Sequence, residues 1–179
     1  MGRIANLYLV RHAEANWSAD SEDPSLTSIG KYQAEIIANK LLEKSVTKIV
    51  TSPMRRAEET SRIIASFLEV PIIRNKLFCE ISSVNYGFSI ISDVMQSILL
   101  SDNNLCAVSH GGLLRLIAES LGVDRFLLDR SRDRHGSAHA LGEVWQLNLL
   151  EKKHRFYAKV GTQSESRPSF INLRLIGNE

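Results

Sequence analysis

Two hydrophobic patterns alternate along the chain: short apolar runs typical of buried strands, and longer stretches in which apolar residues recur at helical spacing. The first run, IANLYLV at residues 4–10, ends abruptly at Arg11 and His12. A later run, NLCAVSH, ends at His110. The predicted strands are residues 4–10, 48–52, 71–74, 104–110, 144–149 and 156–160.

The helical stretches carry recognisable start and end signals. Thr27 is a good N-cap for a first helix. The apolar face predicted for that helix is Ala34, Ile37, Ala38, Leu41 and Leu42.

A second helix is predicted after the strand at residues 48–52. Ser52 is expected as its N-cap and Pro53 as its first residue. Its predicted buried stripe is Ala57, Ile64, Phe67 and Leu68. Residues 90–100 predict a third helix, and Gly111 and Gly112 open a fourth that ends near Gly122.

Alternating strands and helices predict a single α/β domain over residues 1–179, with a mostly parallel sheet sandwiched between helices. Residues 124–139 are dense in charge and are expected to form an exposed connection. Residues 161–179 are expected to be an edge strand or a tail.

Composition narrows the function classes only slightly. The net charge of +2 and pI of about 8.6 suit an anionic substrate without calling for nucleic acid. No apolar run reaches the roughly 20 residues that cross a bilayer, so a cytoplasmic protein without membrane contact is expected.

Cys106 is expected to be buried and reduced, and no Cys/His metal-site spacing is present. His135 and His139 lie four residues apart, but the interpretation as surface residues is preferred to a metal site.

Chemically active side chains follow three predicted strands. Arg11 and His12 follow the first, Ser52 to Arg56 the second, and His110 ends the fourth. Ligands of open α/β sheets bind outside the carboxyl ends of the strands, so these groups are expected to share one crevice. Guanidinium groups and helix N-termini together form an anion site suited to phosphate.

Such a crevice can support phosphoryl transfer without a metal or other cofactor. A neutral imidazole attacks phosphorus, the arginines carry the charge, and the second histidine, if protonated, stabilises the transition state. Taken singly, each residue has an ordinary structural explanation, such as a surface ion pair or a helix cap. The functional interpretation depends on their order and spacing together.

Five segments resemble the histidine phosphatase (phosphoglycerate mutase-like) superfamily, in that family's order and over roughly residues 4–150. They are LVRHAEANW, DPSLTSIGKYQAEIIANKL, IVTSPMRRAEETS, AVSHGGLLR and GEVWQLNL. The resemblance is to the short, single-domain phosphatase branch, and it implies a phosphoglycerate mutase-like three-layer fold. It implies His12 as the nucleophile that forms a phosphohistidine, Arg11 and Arg56 as phosphoryl ligands, and His110 as the residue that completes the pocket. The expected substrate-binding residues are Glu14, Asn16, Ser18 and Gly111.

The sequence also departs from the family pattern. Ala13 replaces the usual Gly, and Ala15 and Ser18 replace polar residues that favour a mutase. A leaving alkoxide needs a proton, usually from a carboxylic acid. Glu80 is the candidate acid, with an exposed loop carboxylate as the alternative.

Three functions remain open at this point. The first is a phosphatase of small phosphomonoesters, and the second is a protein phosphohistidine phosphatase. The third is a phosphate-binding module without catalysis, and a mutase is a weaker fourth. The expected partner is a phosphorylated small molecule or a phosphohistidine protein, and neither the oligomeric state nor the physiological substrate follows from the sequence.

Overall fold

The computed structural model describes residues 6–17, 22–81, 84–100, 104–130, 141–149 and 153–156. The strands are β1 (Asn6–Arg11), β2 (Val46–Thr51), β3 (Ile72–Arg74), β4 (Asn104–Ser109), β5 (Val144–Asn148) and β6 (Lys153–Phe156). The helices are α1 (Ser28–Leu41), α2 (Arg55–Leu68), α3 (Val84–Leu99), α4 (Gly111–Ser120) and α5 (Arg125–Arg130). Short 3₁₀ turns lie at Leu42–Lys44 and Lys76–Phe78.

The strands form one mixed sheet in the order β3-β2-β4-β1-β5-β6. β3, β2, β4 and β1 are parallel to one another, whereas β5 runs antiparallel to β1 and β6 antiparallel to β5. The carboxyl ends of β1, β2 and β4 therefore lie side by side at one edge. The predicted α/β fold with a mostly parallel sheet is confirmed.

Successive side chains of each central strand point to opposite faces of the sheet, so they pack into two separate hydrophobic cores. Tyr8 and Val10 of β1 belong to the core that α1 and α2 cover. Leu7 and Leu9 belong to the opposite core, which α3 and α4 cover. The molecule is thus a three-layer sandwich, as expected.

α1 begins where the sequence predicts. Thr27 is its N-cap, and the Thr27 hydroxyl accepts a hydrogen bond from the Gly30 N–H at 2.9 Å. Ala34, Ile37, Ala38 and Leu41 are buried. Leu42 is half exposed, because it already belongs to the following 3₁₀ turn.

The predicted start of α2 is wrong. Its first residue is Arg55 and its N-cap is Met54, so neither Ser52 nor Pro53 has the expected place. The Asp23 carboxylate caps the helix instead, accepting the Arg55 N–H with both oxygens at 2.8 Å. The predicted stripe is also wrong at Phe67, which is 41% exposed.

Other boundaries also differ from the predictions. α3 begins at Val84, six residues before the predicted helix, and β6 ends at Phe156, where the predicted strand begins. α5 occupies part of the charged connection, and residues 131–140 and 157–179 lie outside the described residues. The prediction for 161–179 and the single-domain prediction for residues 1–179 therefore stay predictions.

Both cysteines are free, and Cys106 is fully buried as predicted. Burial raises the pKa of the Cys106 thiol to about 12, so it stays protonated. Among the described residues, no helix is both long and apolar enough to cross a membrane.

Candidate active site

The predicted convergence at one edge of the sheet is present. The register pairs Arg11 of β1 with Ser109 of β4, and His12 and His110 follow directly. The two imidazole rings lie 5.2 Å apart, centre to centre. Arg56 of α2 contacts both rings, so residues 44 and 54 positions apart in the chain form one cluster.

His12 is buried and its ring is fixed on both sides. Its Nδ1 lies 2.9 Å from the Ala13 carbonyl oxygen, which can only accept, so Nδ1 carries the proton. Nε2 therefore keeps its lone pair and accepts a hydrogen bond from Arg56 Nε at 3.3 Å. This is the tautomer that a nucleophile requires.

Arg56 is 2% exposed and uses its whole guanidinium group. In addition to the two histidines, it contacts Asp23 through Nη1 at 3.4 Å and Glu80 through Nη2 at 3.9 Å. The Trp17 ring lies over it, with its centre 5.0 Å from the guanidinium carbon. Burial lowers the pKa of Arg56, and the neighbouring Glu80 and Asp23 oppose that shift.

His110 is fully buried and neutral. Burial first, then the charges of His12, Arg56 and Arg11, lower its pKa to about 2. Because Arg56 Nη2 donates to Nδ1 at 3.3 Å, the proton lies on Nε2, which donates to the Ser52 hydroxyl at 3.0 Å. The protonated form considered from the sequence is thus disfavoured here.

Glu80 lies at the edge of this cluster. Its side chain is 44% exposed, and Oε2 is 3.4 Å from His110 Nδ1. Partial burial raises the pKa of Glu80, while Arg56 and Arg11 act in the opposite direction. A carboxyl group with a raised pKa at a cationic site is suited to giving and taking a proton.

The cluster opens into a cavity of about 510 Å³. Arg11, His12 and Glu80 line its polar side, and Trp17 and Leu141 contribute apolar surface. Arg11 lines the cavity and Arg56 contacts His12, so two guanidinium groups from different elements lie near the His12 ring.

The four expected substrate-binding residues have different placements. Glu14 lines the cavity, but its carboxylate accepts a hydrogen bond from the Thr27 hydroxyl at 2.8 Å. Asn16 is exposed, and its N–H donates to the Ser25 carbonyl. Gly111 is buried at the start of α4. Ser18 lies outside the described residues.

Sequence reasoning missed several residues that hold the site. Asp23 contacts Arg56, and the Thr60 hydroxyl accepts the Ala13 N–H at 3.0 Å. The four-residue spacing between Arg56 and Thr60 placed both on one helix face and could have indicated Thr60. Ser52 was assigned to a cap, and no local signal pointed to its contact with His110.

The sequence predicts that the three remaining histidines are surface residues. His135 and His139 lie outside the described residues, and His154 is part of β6 at the sheet edge. Over the described ranges, no three His, Cys, Asp or Glu side chains are grouped as a metal ion would need.

Known proteins resemble this chain in sequence and in fold. Residues 7–87 match the profile of the histidine phosphatase superfamily (branch 1). A probable phosphoglycerate mutase GpmB of Photorhabdus laumondii is 38% identical over 75 residues, covering 39% of this chain and 35% of the relative. Phosphoserine phosphatase 1 of Hydrogenobacter thermophilus is 30% identical over 98 residues, covering 52% of this chain and 46% of the relative. The matches therefore span less than half of either relative's length.

Solved structures share the fold. The protein histidine phosphatase SixA complexed with tungstate has a TM-score of 0.60 and 17% identity, covering 86% of this chain and 94% of that one. A mycobacterial glucosyl-3-phosphoglycerate phosphatase has a TM-score of 0.62 and 14% identity, covering 86% and 97%. The resemblance to the superfamily is thus confirmed over residues 7–87, and the described fold is shared with these two solved structures.

Proposed function

We propose that the protein is a phosphatase that hydrolyses phosphomonoesters through a phosphohistidine formed on His12. The observation that carries the proposal is the geometry of that imidazole. Its Nδ1 is bound to the Ala13 carbonyl, and its unprotonated Nε2 accepts from Arg56 at a cavity that Arg11 also lines. When Arg56 turns its hydrogen bond to a phosphoryl oxygen, the Nε2 lone pair is free to attack phosphorus.

The reaction balances in two steps. In the first, His12 Nε2 forms a bond to phosphorus, the ester P–O bond breaks, and protonated Glu80 gives its proton to the departing oxygen. In the second, Glu80 takes a proton from water, the water oxygen bonds to phosphorus, and the P–N bond breaks. Arg11 and Arg56 hold the phosphoryl oxygens throughout and offset their charge. The proposed chemistry needs no metal ion.

Neutral His110 has a supporting part in this scheme. Its Nε2 proton is engaged by Ser52, and its Nδ1 faces Arg56 and Glu80. Its Nδ1 therefore helps to hold the Arg56 guanidinium group and can accept a hydrogen bond from the acid form of Glu80.

A protein phosphohistidine phosphatase is the second candidate. α3 lies between β3 and β4 in the chain and buries Val94 and Ile98 in the core of the domain, so its described part forms no large cap over the cavity. An open cavity suits a phosphorylated side chain on a protein surface. Imidazole is also a better leaving group than an alkoxide, so its departure would depend less on a proton from Glu80.

The first test is hydrolysis of p-nitrophenyl phosphate in excess EDTA by the wild type and by His12→Ala. We expect activity in the wild type that the substitution abolishes. Full activity in His12→Ala would overturn the nucleophile assignment, and activity that EDTA abolishes would overturn metal independence.

A parallel assay separates the candidates if the aryl ester is a poor substrate. A phosphorylated histidine-containing protein should then lose its phosphoryl group to the wild type but not to His12→Ala. A phosphate-binding module would turn over neither substrate and would bind inorganic phosphate equally well with and without the His12 imidazole.

A further inference from the structure

Gln33 lies on the buried side of α1 and faces the loop that carries His12. The residue is 8% exposed, which is unusual for a glutamine. Its Oε1 accepts a hydrogen bond from the Glu14 N–H at 2.9 Å. Gly142, which has a φ of 68°, lies so close that a Cβ there would be 3.2 Å from the Gln33 Cβ. The Gln33 side chain is therefore confined by Gly142 as well as by the loop.

The Glu14 N–H and the Ala13 carbonyl belong to the same peptide unit. That unit is planar, so holding its N–H also sets the direction of its oxygen. The Ala13 oxygen is the atom that accepts the proton of His12 Nδ1 at 2.9 Å. A continuous path of hydrogen bonds thus runs from Gln33, through one peptide plane, to the imidazole of His12.

The peptide units on either side are anchored by other elements. The preceding N–H, that of Ala13, donates to Thr60 of α2. The following carbonyl, that of Glu14, accepts the Thr27 N–H at 3.0 Å. A Cβ on Gly30 would lie 2.0 Å from that same carbonyl oxygen, so only glycine allows this approach. Among these anchors, Gln33 holds the unit that touches the imidazole.

We propose that Gln33 is a positioning residue that sets the orientation and tautomer of His12 through the peptide unit joining Ala13 and Glu14. Because Gln33 Oε1 accepts the Glu14 N–H, it polarises the peptide so that negative charge builds up on the Ala13 carbonyl oxygen, which makes that oxygen a stronger acceptor. That favours the proton on Nδ1 and leaves the Nε2 lone pair available. The effect on nucleophilic attack rests on the proposed function, whereas the effect on the imidazole does not.

The titratable and charged groups around His12 set the background for a pH test. Arg11, Arg56, Glu80 and neutral His110 lie around its imidazole, Glu14 lines the same cavity, and Asp23 binds Arg56. Substitution of Gln33 removes none of these groups. A change in the titration of His12 then reports on the peptide unit.

Two substitutions at Gln33 separate positioning from packing. Gln33→Met keeps the length of the side chain but removes the acceptor, and Gln33→Glu keeps an acceptor and adds charge. Gln96→Met, on the exposed side of α3, is the matched control. Nitrogen-15 NMR of the His12 imidazole measures its tautomer and pKa without any turnover.

With Gln33→Met, we expect the Nδ1-protonated tautomer to lose population and kcat to fall roughly 10- to 100-fold, because misplacement of a reacting group by about 1 Å has costs of this order. KM should change little, because Arg11 and Arg56 are untouched. With Gln33→Glu, the added negative charge should raise the pKa of His12. At pH values above that raised pKa, kcat should return to near the wild-type value.

Two results would overturn the inference. One is an imidazole spectrum and pKa unchanged in both Gln33 variants, whatever happens to activity. The other is equal loss of kcat in Gln33→Met and Gln33→Glu at every pH, as a packing defect would give. If wild-type protein shows the expected tautomer but no turnover, the proposed function fails while the positioning inference stands.

Discussion

Arg56 links the groups that the sequence scattered along the chain. It contacts His12, His110, Asp23 and Glu80, and it is nearly inaccessible to solvent. A buried guanidinium held on all sides keeps its planar fork in one orientation, which suits bidentate contact with a phosphoryl group. The side chain of the neighbouring Arg55 points outward to Glu59, and Arg55 meets this cluster only through its backbone N–H, which Asp23 accepts, in the described contacts.

Arg56→Ala should lower kcat/KM by roughly 10²- to 10³-fold, because the transition state loses a charged donor. The kcat/KM of Arg56→Lys should lie between those of wild type and Arg56→Ala, because lysine keeps the charge but lacks the planar fork of donors. Arg55→Ala is the control and should stay within about twofold of wild type, as expected for an exposed ion pair. Steady-state kinetics with p-nitrophenyl phosphate measure all three, and equal losses in the two alanine variants would contradict the assignment.

The raised pKa of Glu80 and its proposed role as the acid predict how activity depends on pH and on the leaving group. Its pKa is raised, so the protonated acid persists above the usual range of a glutamate, and activity with alkyl phosphates should decline as pH rises through that pKa. Glu80→Gln should remove that basic limb and slow alkyl phosphate hydrolysis roughly 10²- to 10⁴-fold. Release of p-nitrophenolate needs no proton, so phosphorylation of the enzyme by that ester should change far less. An unaltered limb in the variant would assign the acid to another group.

At the scale of elements, the start of α1 holds the loop that carries His12 as well as its own first turn. Thr27 caps the helix through Gly30, and both its N–H and its hydroxyl bind Glu14. The cap could be predicted because Thr followed by a helical pattern is a local signal. The contacts with Glu14 could not, because they depend on how α1 packs beside β1.

Thr27→Ala should lower the free energy of unfolding by about 1 kcal/mol, the usual cost of losing an N-cap. Thr27→Ser keeps the hydroxyl and should retain most of that stability. Urea denaturation followed by circular dichroism gives both values. A serine variant as unstable as the alanine variant would show that the methyl group, and not the cap, is what matters.

The boundaries that sequence reasoning misplaced share a physical cause. Ser52 and Pro53 have the local signature of a helix start. The helix nevertheless begins at Arg55, because Asp23, from a distant part of the chain, caps the Arg55 N–H. The start of α3 was also missed, because its first turn lacks the clear apolar spacing of the later part. Local signals predict elements well when the deciding contacts are local, and they fail when a distant residue decides.

At the scale of the whole molecule, the parallel arrangement of β1, β2 and β4 creates the site. It brings the residue after each strand to one edge, so the cluster of His12, Arg56 and His110 could be predicted from the ends of apolar runs. The sequence could not supply the neutral state of His110 or the anchoring of His12 by Gln33. Both depend on burial and on contacts between elements, which no single segment specifies.

The central claim is that His12 carries the phosphoryl group, and trapping that intermediate tests it most directly. The wild type and Glu80→Gln would be mixed with p-nitrophenyl phosphate, quenched in alkali, digested and mapped by mass spectrometry. We predict one added phosphoryl group on the peptide that contains His12, more abundant in Glu80→Gln because water attack lacks its base, and none in His12→Ala. Turnover by wild-type protein with the phosphoryl group on another residue, or with the same modification in His12→Ala, would contradict the account.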